Sequence, residues 1–122
     1  MPIADYGRVI TTRKRFTTAQ TNVVIIAGAT GKRHIVTQVM VTVGKAVTAT
    51  EVSALLGFAS AVTPTDAGVI FDHPGIAPGG GAGRGDGSGV LGAGISGDAL
   101  LMTSGVPTGG ALAVTVTYAT MP

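Results

Sequence analysis

Hydrophobic positions along the chain fall into short runs, mostly with a two-residue period, separated by glycine, proline and threonine. Val23-Val24-Ile25-Ile26 has the form of a buried strand, ended by Gly28 and the turn Thr30-Gly31-Lys32. From Arg33 onward the pattern alternates. Ile35, Thr37, Val39, Val41 and Val43 point one way; His34, Val36, Gln38, Met40 and Thr42 point the other. Gly44-Lys45 makes the next turn, and residues 47–53 continue with valine and threonine. Leu55-Leu56-Gly57-Phe58 predicts another strand. A helix over 50–60 competes, because Glu51, Ala54, Leu55 and Phe58 have helical spacing, but Gly57 and the β-rich surroundings disfavour it. Val69-Ile70-Phe71-Asp72, entered through Pro64 and Gly68, reads as a strand, and residues 90–95 and 99–103 resume the apolar pattern. The last strand is the clearest: Leu112, Val114, Val116 and Tyr118 alternate with Ala113, Thr115, Thr117 and Ala119. About eight short strands spaced roughly 8 to 12 residues apart predict an all-β chain, a single antiparallel β-sandwich or jelly-roll-like domain.

Two stretches depart from this pattern. Residues 1–20 have little periodicity, and Arg8, Arg13, Lys14 and Arg15 make up four of the chain's eight basic residues. They read as an extended basic arm, with Gly7-Arg8-Val9-Ile10 as a possible short strand, ahead of a β-sandwich domain over 21–122. Residues 73–89 read as one long Gly-rich loop bounded by Pro74 and Pro78. Loops longer than about 12 to 15 residues are uncommon in compact domains and are usually functional or mobile.

Composition narrows the classes. At 122 residues the chain makes one domain. Charged residues are 11%, against about 25% in an average soluble domain, and aromatics are 4% with no Trp. There is no Cys, so no disulfide framework, thiolate metal site or cysteine nucleophile is expected. No run reaches the roughly 18 apolar residues of a membrane span, and Thr11 to Arg15 interrupt any signal-peptide core. The net charge of +2 is too mild for a dedicated nucleic-acid binder. A core of small side chains and 20 glycines, with no disulfide, favours association with identical copies.

The chemistry-bearing residues form no catalytic constellation. His34 sits inside an alternating strand and reads as a surface or interface strand residue rather than a base or ligand. Asp72 and His73 open the Gly-rich loop, but a zinc site needs about four ligands, and Asp66, Asp86 and Asp98 lack a recognised spacing. Glu51 is the only glutamate, and no serine lies in a Gly-x-Ser-x-Gly elbow. The run Gly79 to Gly87 lacks the Gly-Lys-Ser/Thr ending of a phosphate loop. Its Arg84-Gly85-Asp86 tripeptide matches an integrin-ligand motif but arises easily by chance in such a stretch. No enzyme activity and no cofactor are expected. The basic cluster reads best as a protein-docking arm formed by Arg8, Arg13, Lys14, Arg15 and Phe16. Asp72, His73, Arg84 and Asp86 would belong to an exposed or neighbour-ordered loop.

Three segments carry a family resemblance. They are Val23 to Ala27 with the turn Gly31-Lys32-Arg33-His34-Ile35, the stretch Gly97-Asp98-Ala99-Leu100-Leu101, and the closing run Gly109 to Tyr118. Together the chain resembles, over roughly 21–121, the small β-sandwich structural proteins of tailed-bacteriophage virions. That resemblance implies a jelly-roll-like domain on the capsid exterior, often a homotrimer. It would cement the head through contacts with the major capsid protein or another virion protein, or form a base for fibres. The long Gly-rich loop and the basic arm depart from the family pattern. The competing reading is a carbohydrate- or receptor-binding module of a fibre or spike, against which the scarcity of aromatics counts. Deleting residues 1–20 is expected to leave a folded domain that no longer binds particles.

Overall fold

The computed structural model describes residues 8–63, 65–86 and 89–122. The expected features at residues 1–7, Pro64, Gly87 and Ser88 lie outside them. The described residues form nine strands: β1 (Val9–Phe16), β2 (Gln20–Ile26), β3 (Arg33–Val43), β4 (Val52–Phe58), β5 (Val69–Ile76), β6 (Gly81–Arg84), β7 (Gly92–Ala93), β8 (Leu100–Ser104) and β9 (Leu112–Met121). One sheet runs β1-β9-β3-β6, with β7 also on β3; the other runs β2-β8-β4-β5.

Chain order explains these two sheets. Folded at the β4–β5 connection, the chain is one long antiparallel hairpin, in which β4 meets β5, β3 meets β6, β2 meets β8 and β1 meets β9. Rolling that hairpin up adds the β3–β9 and β4–β8 ladders and separates it into two layers. This is jelly-roll topology, so the expected fold class is found.

The core lies between the layers. Val36, Val39, Val41 and Val43 from β3 meet Leu56 and Phe58 from β4, Leu100 and Met102 from β8, and Leu112, Val114 and Val116 from β9. Most are fully buried. A smaller cluster, Leu55, Leu101 and Val62, forms on the outer face of the second sheet, where the segment after β4 folds back. Asn22, in the left-handed region at φ 50°, pins that segment: its Oδ1 accepts from the Val62 amide at 3.0 Å.

Several local expectations change. The alternation in β3 is interrupted at Thr37. The β3–β9 register shifts between Val36 and Gln38, which places Thr37 as a bulge. Val36 therefore faces the core together with Val39, while Ile35 shares the opposite face with Ala119. The Thr37 hydroxyl donates to the Thr117 carbonyl at 3.2 Å. Gly85, at φ 81°, packs against the Thr37 carbonyl, where an added Cβ would collide with it.

The stretch 73–89 is not a single loop. β5 runs on through Pro74 to Ile76, a turn at 77–80 crosses between sheets, and β6 pairs with Val39 to Thr42. Glycines at β6 carry no side-chain pattern, so only backbone pairing with β3 reveals the strand. Residues 47–51 are not a strand either. The Val47 amide bonds to Gly44 and the Thr48 amide to Thr108. Residues 9–16, expected as an arm, pair with β9 along their whole length. The hydrophobic pattern is weak there because β1 is an edge strand with little to bury.

Candidate docking face

Strand alternation divides the basic cluster. The register pairs Phe16 with Leu112, Lys14 with Val114 and Thr12 with Val116, so these β1 residues share the core-facing side. Arg15 pairs with Ala113, Arg13 with Thr115 and Thr11 with Thr117, on the solvent side. Phe16 is half-buried against the core. Lys14 reaches across the open edge of the sandwich, and its Nζ donates to the Val24 carbonyl on β2 at 3.1 Å. Arg8 is exposed just ahead of β1. Of the five residues expected on the arm, two, Arg13 and Arg15, project together from the outer face of the sheet.

Continuing the register across the sheet gives the composition of that face. One row runs Arg15, Ala113, Thr42, Gly81; the next runs Arg13, Thr115, Met40, Gly83; a third holds Thr11, Thr117 and Gln38. Thr11 and Thr117 are hydrogen-bonded through their hydroxyls at 3.1 Å. Met40, 40% exposed, lies against Gly83. None of these residues is acidic. The face is built from threonine, alanine and glycine, with two arginines along one border. A cleft of about 230 Å³ opens at its end, lined by Arg13, Arg15, Thr42, Lys45 and Ala113 among others. Lys45 is a third cation at this place. Sequence reasoning placed it only in a turn; the rolled hairpin brings that turn beside the end of β1.

The residues expected on the Gly-rich loop separate differently. Asp72 and His73 are consecutive in β5, so they project to opposite faces and do not converge on one ion. Asp72 is exposed opposite Leu55, and His73 accepts at Nδ1 from the Gly75 amide at 3.2 Å. Arg84, at the end of β6, donates from Nη1 to the Ile70 carbonyl at 2.7 Å. Ile70 is skipped in the β4–β5 register, which passes from Phe71 to Val69, so Arg84 supplies a donor at a bulge. Asp72, His73 and Arg84 line one cleft of about 400 Å³ between the β5 and β6 edges. Asp86 is exposed beyond Gly85. Lys14 and Arg84 thus act alike: each spans from an edge strand of the first sheet to a carbonyl on an edge strand of the second. They clasp the two open sides of the sandwich.

No cluster of three or more metal-ligating side chains occurs among the described residues. His34, expected at a surface or interface, is instead buried and hydrogen-bonded within the chain at both ring nitrogens. Its Nε2 lies 2.8 Å from the Ala27 carbonyl, and its Nδ1 lies 2.8 Å from the Thr120 hydroxyl. The carbonyl can only accept, so Nε2 carries the proton and Nδ1 accepts from Thr120 in the neutral ring. Tyr118 packs edge-on at 5.5 Å. His34 therefore fastens β3 to the segment after β2 and to the end of β9. On the second sheet, a groove of about 490 Å³ is lined by Leu55, Val62, Pro74, Thr103 and Asp72 among others. Among the described residues no aromatic ring lines it, unlike the platforms on which sugars stack.

No family model and no curated protein matches this chain. Among solved structures, a chain of the acidic stable capsid structure of Helicobacter pylori bacteriophage KHP30 is similar in fold. The TM-score is 0.60 at 12% sequence identity, over 93% of this chain and 88% of that one.

Proposed function

We propose that the chain is a non-enzymatic virion structural protein that decorates the exterior of a phage head and cements it through protein contacts. The observation that carries this reading is the jelly roll itself, shared over nearly the whole chain with a component of a phage capsid structure. The docking face supports it. A surface of threonine, alanine and glycine leaves few charges to desolvate on contact, while Arg13, Arg15 and Lys45 at its border supply pairing and orientation. The partner is the major capsid protein or another virion protein presenting carboxylates. Association of identical copies, as a homotrimer, fits a small core without disulfides. Synthesis is in the host cytoplasm, before addition to the particle.

The test is rebinding to particles of the encoding phage from which the protein has been stripped. Deleting residues 1–20 is not a clean perturbation, because it removes β1 and uncovers β9. The double variant R13E/R15E leaves the ladder intact. Reversing two border charges costs about 2 to 3 kcal/mol of binding, roughly a 30- to 150-fold loss of affinity. Unchanged rebinding by this variant would exclude the face as the docking surface. Absence of the protein from purified particles would exclude the virion role.

A further inference from the structure

A rolled sandwich of two sheets leaves four edges, and a strand at an edge presents unpaired backbone N–H and C=O groups along one side. The four edges here are unequal. β2 loses register with β8 twice and holds Asn22 in the left-handed region. β5 loses register with β4 twice and contains Pro74, which has no N–H to offer. β6, which shares its edge with the two-residue β7, is four residues long and is followed by Gly85, also in the left-handed region. β1 alone pairs with its neighbour through eight successive residues without a shift, and it contains neither proline nor glycine. Among the described residues, no backbone hydrogen bond reaches its far side. Its edge is held in place by the Lys14 contact to Val24.

We propose that the free edge of β1 is a strand-pairing site for an extended acidic segment of a partner protein, with carboxylates at alternate positions beside Arg13 and Arg15. An added strand would lie about 4.8 Å from β1, and side chains two residues apart would repeat about every 6.8 Å on its outer face. That repeat is the one separating Arg13 from Arg15, so two carboxylates at i and i+2 meet both arginines. Carboxylates at consecutive positions point to opposite faces and reach the pair once. A second copy of β1 is the wrong occupant. It would bring another Arg13, Lys14 and Arg15 alongside the first set, with no carboxylate on either strand. The same cations that block self-pairing select an acidic strand.

This inference rests on the docking role given above to Arg13 and Arg15, and adds the backbone as the second recognition element. The test uses the full chain and fluorescent ten-residue peptides in an anisotropy titration. One peptide carries two glutamates at alternate positions; a second has the same composition with the glutamates adjacent. Two further versions of the first are N-methylated on one or the other alternate set of amides. The expected result is at least tenfold tighter binding of the alternating peptide. One N-methylated set should abolish binding and the other leave it unchanged. R13E/R15E should lose binding while keeping its circular dichroism spectrum. Equal affinity for the two peptide orders, equal effects of the two N-methylated sets, or no binding of the alternating peptide at millimolar concentration would each overturn strand pairing. If the particle assay still depends on Arg13 and Arg15 in that case, the docking reading stands and the strand-pairing mode alone is wrong.

Discussion

Arg84 belongs to the stretch whose composition suggests an exposed contact loop, yet its guanidinium is committed within the molecule. Replacing it by methionine keeps the aliphatic stem and removes the donor to the Ile70 carbonyl, 2.7 Å away in a part-buried setting. A hydrogen bond from a charged donor contributes about 1.5 to 3 kcal/mol. The Arg84 side chain is exposed, so the lower figure, about 1.5 kcal/mol, applies. An unfolding entropy of about 2.1 cal/mol/K per residue gives a 122-residue domain roughly 0.26 kcal/mol/K, so Tm should fall by about 6 °C. Differential scanning calorimetry on wild type, R84M and R15M measures this directly. R15M removes a cation of the same kind from the outer face and should stay within about 1 to 2 °C of wild type, as surface substitutions usually do. Equal Tm losses in R84M and R15M, or none in R84M, would refute the assignment of Arg84 as a clasp between the sheets.

Lys14→Met should cost about 0.5 to 1 kcal/mol in urea unfolding with m unchanged, since its contact to Val24 is more exposed than that of Arg84. Gly85→Ala combines a left-handed φ with a collision at the Thr37 carbonyl, and should lose more than about 2 kcal/mol by the same measurement. Ser104 Oγ is buried without a hydrogen-bond partner among the described residues, so Ser104→Ala should raise stability by about 1 kcal/mol, seen as a higher Tm. His34→Phe strands the Ala27 carbonyl and the Thr120 hydroxyl, and a loss of about 2 to 4 kcal/mol is expected in denaturant titrations.

The parts of the fold legible in the sequence are those where side chains carry the signal. The alternation of Leu112, Val114, Val116 and Tyr118 marks β9, which turns one face to the core, and the unbroken apolar run Leu55 to Phe58 marks β4, which buries Leu56 and Phe58 in the core and Leu55 in the outer cluster. The signal fails where backbone alone does the pairing. β6 is Gly-Ala-Gly-Arg, and nothing in those residues distinguishes a ladder from a loop until β3 lies beside it. Beyond Val9 and Ile10, where a short strand is expected, β1 is missed for the opposite reason: its charges mask a strand whose stability comes from β9. The Thr37 bulge is also silent, since a threonine suits either face of β3. The proposed docking face is half visible in the sequence. Arg13 and Arg15 are adjacent to Lys14 in sequence, but only the register separates them from it. Lys45 joins them through the roll of the hairpin, a contact no local pattern encodes.

A cryo-electron microscopy map of the intact virion of the encoding phage bears most directly on the proposed role. The account predicts jelly-roll density repeating with the symmetry of the shell on its outer surface. The β1 side should be seated against the neighbouring protein, with Arg13 and Arg15 at ion-pairing distance from its carboxylates. Density confined to a fibre tip, or a shell-bound copy whose β1 edge and outer sheet face point into solvent, would contradict it.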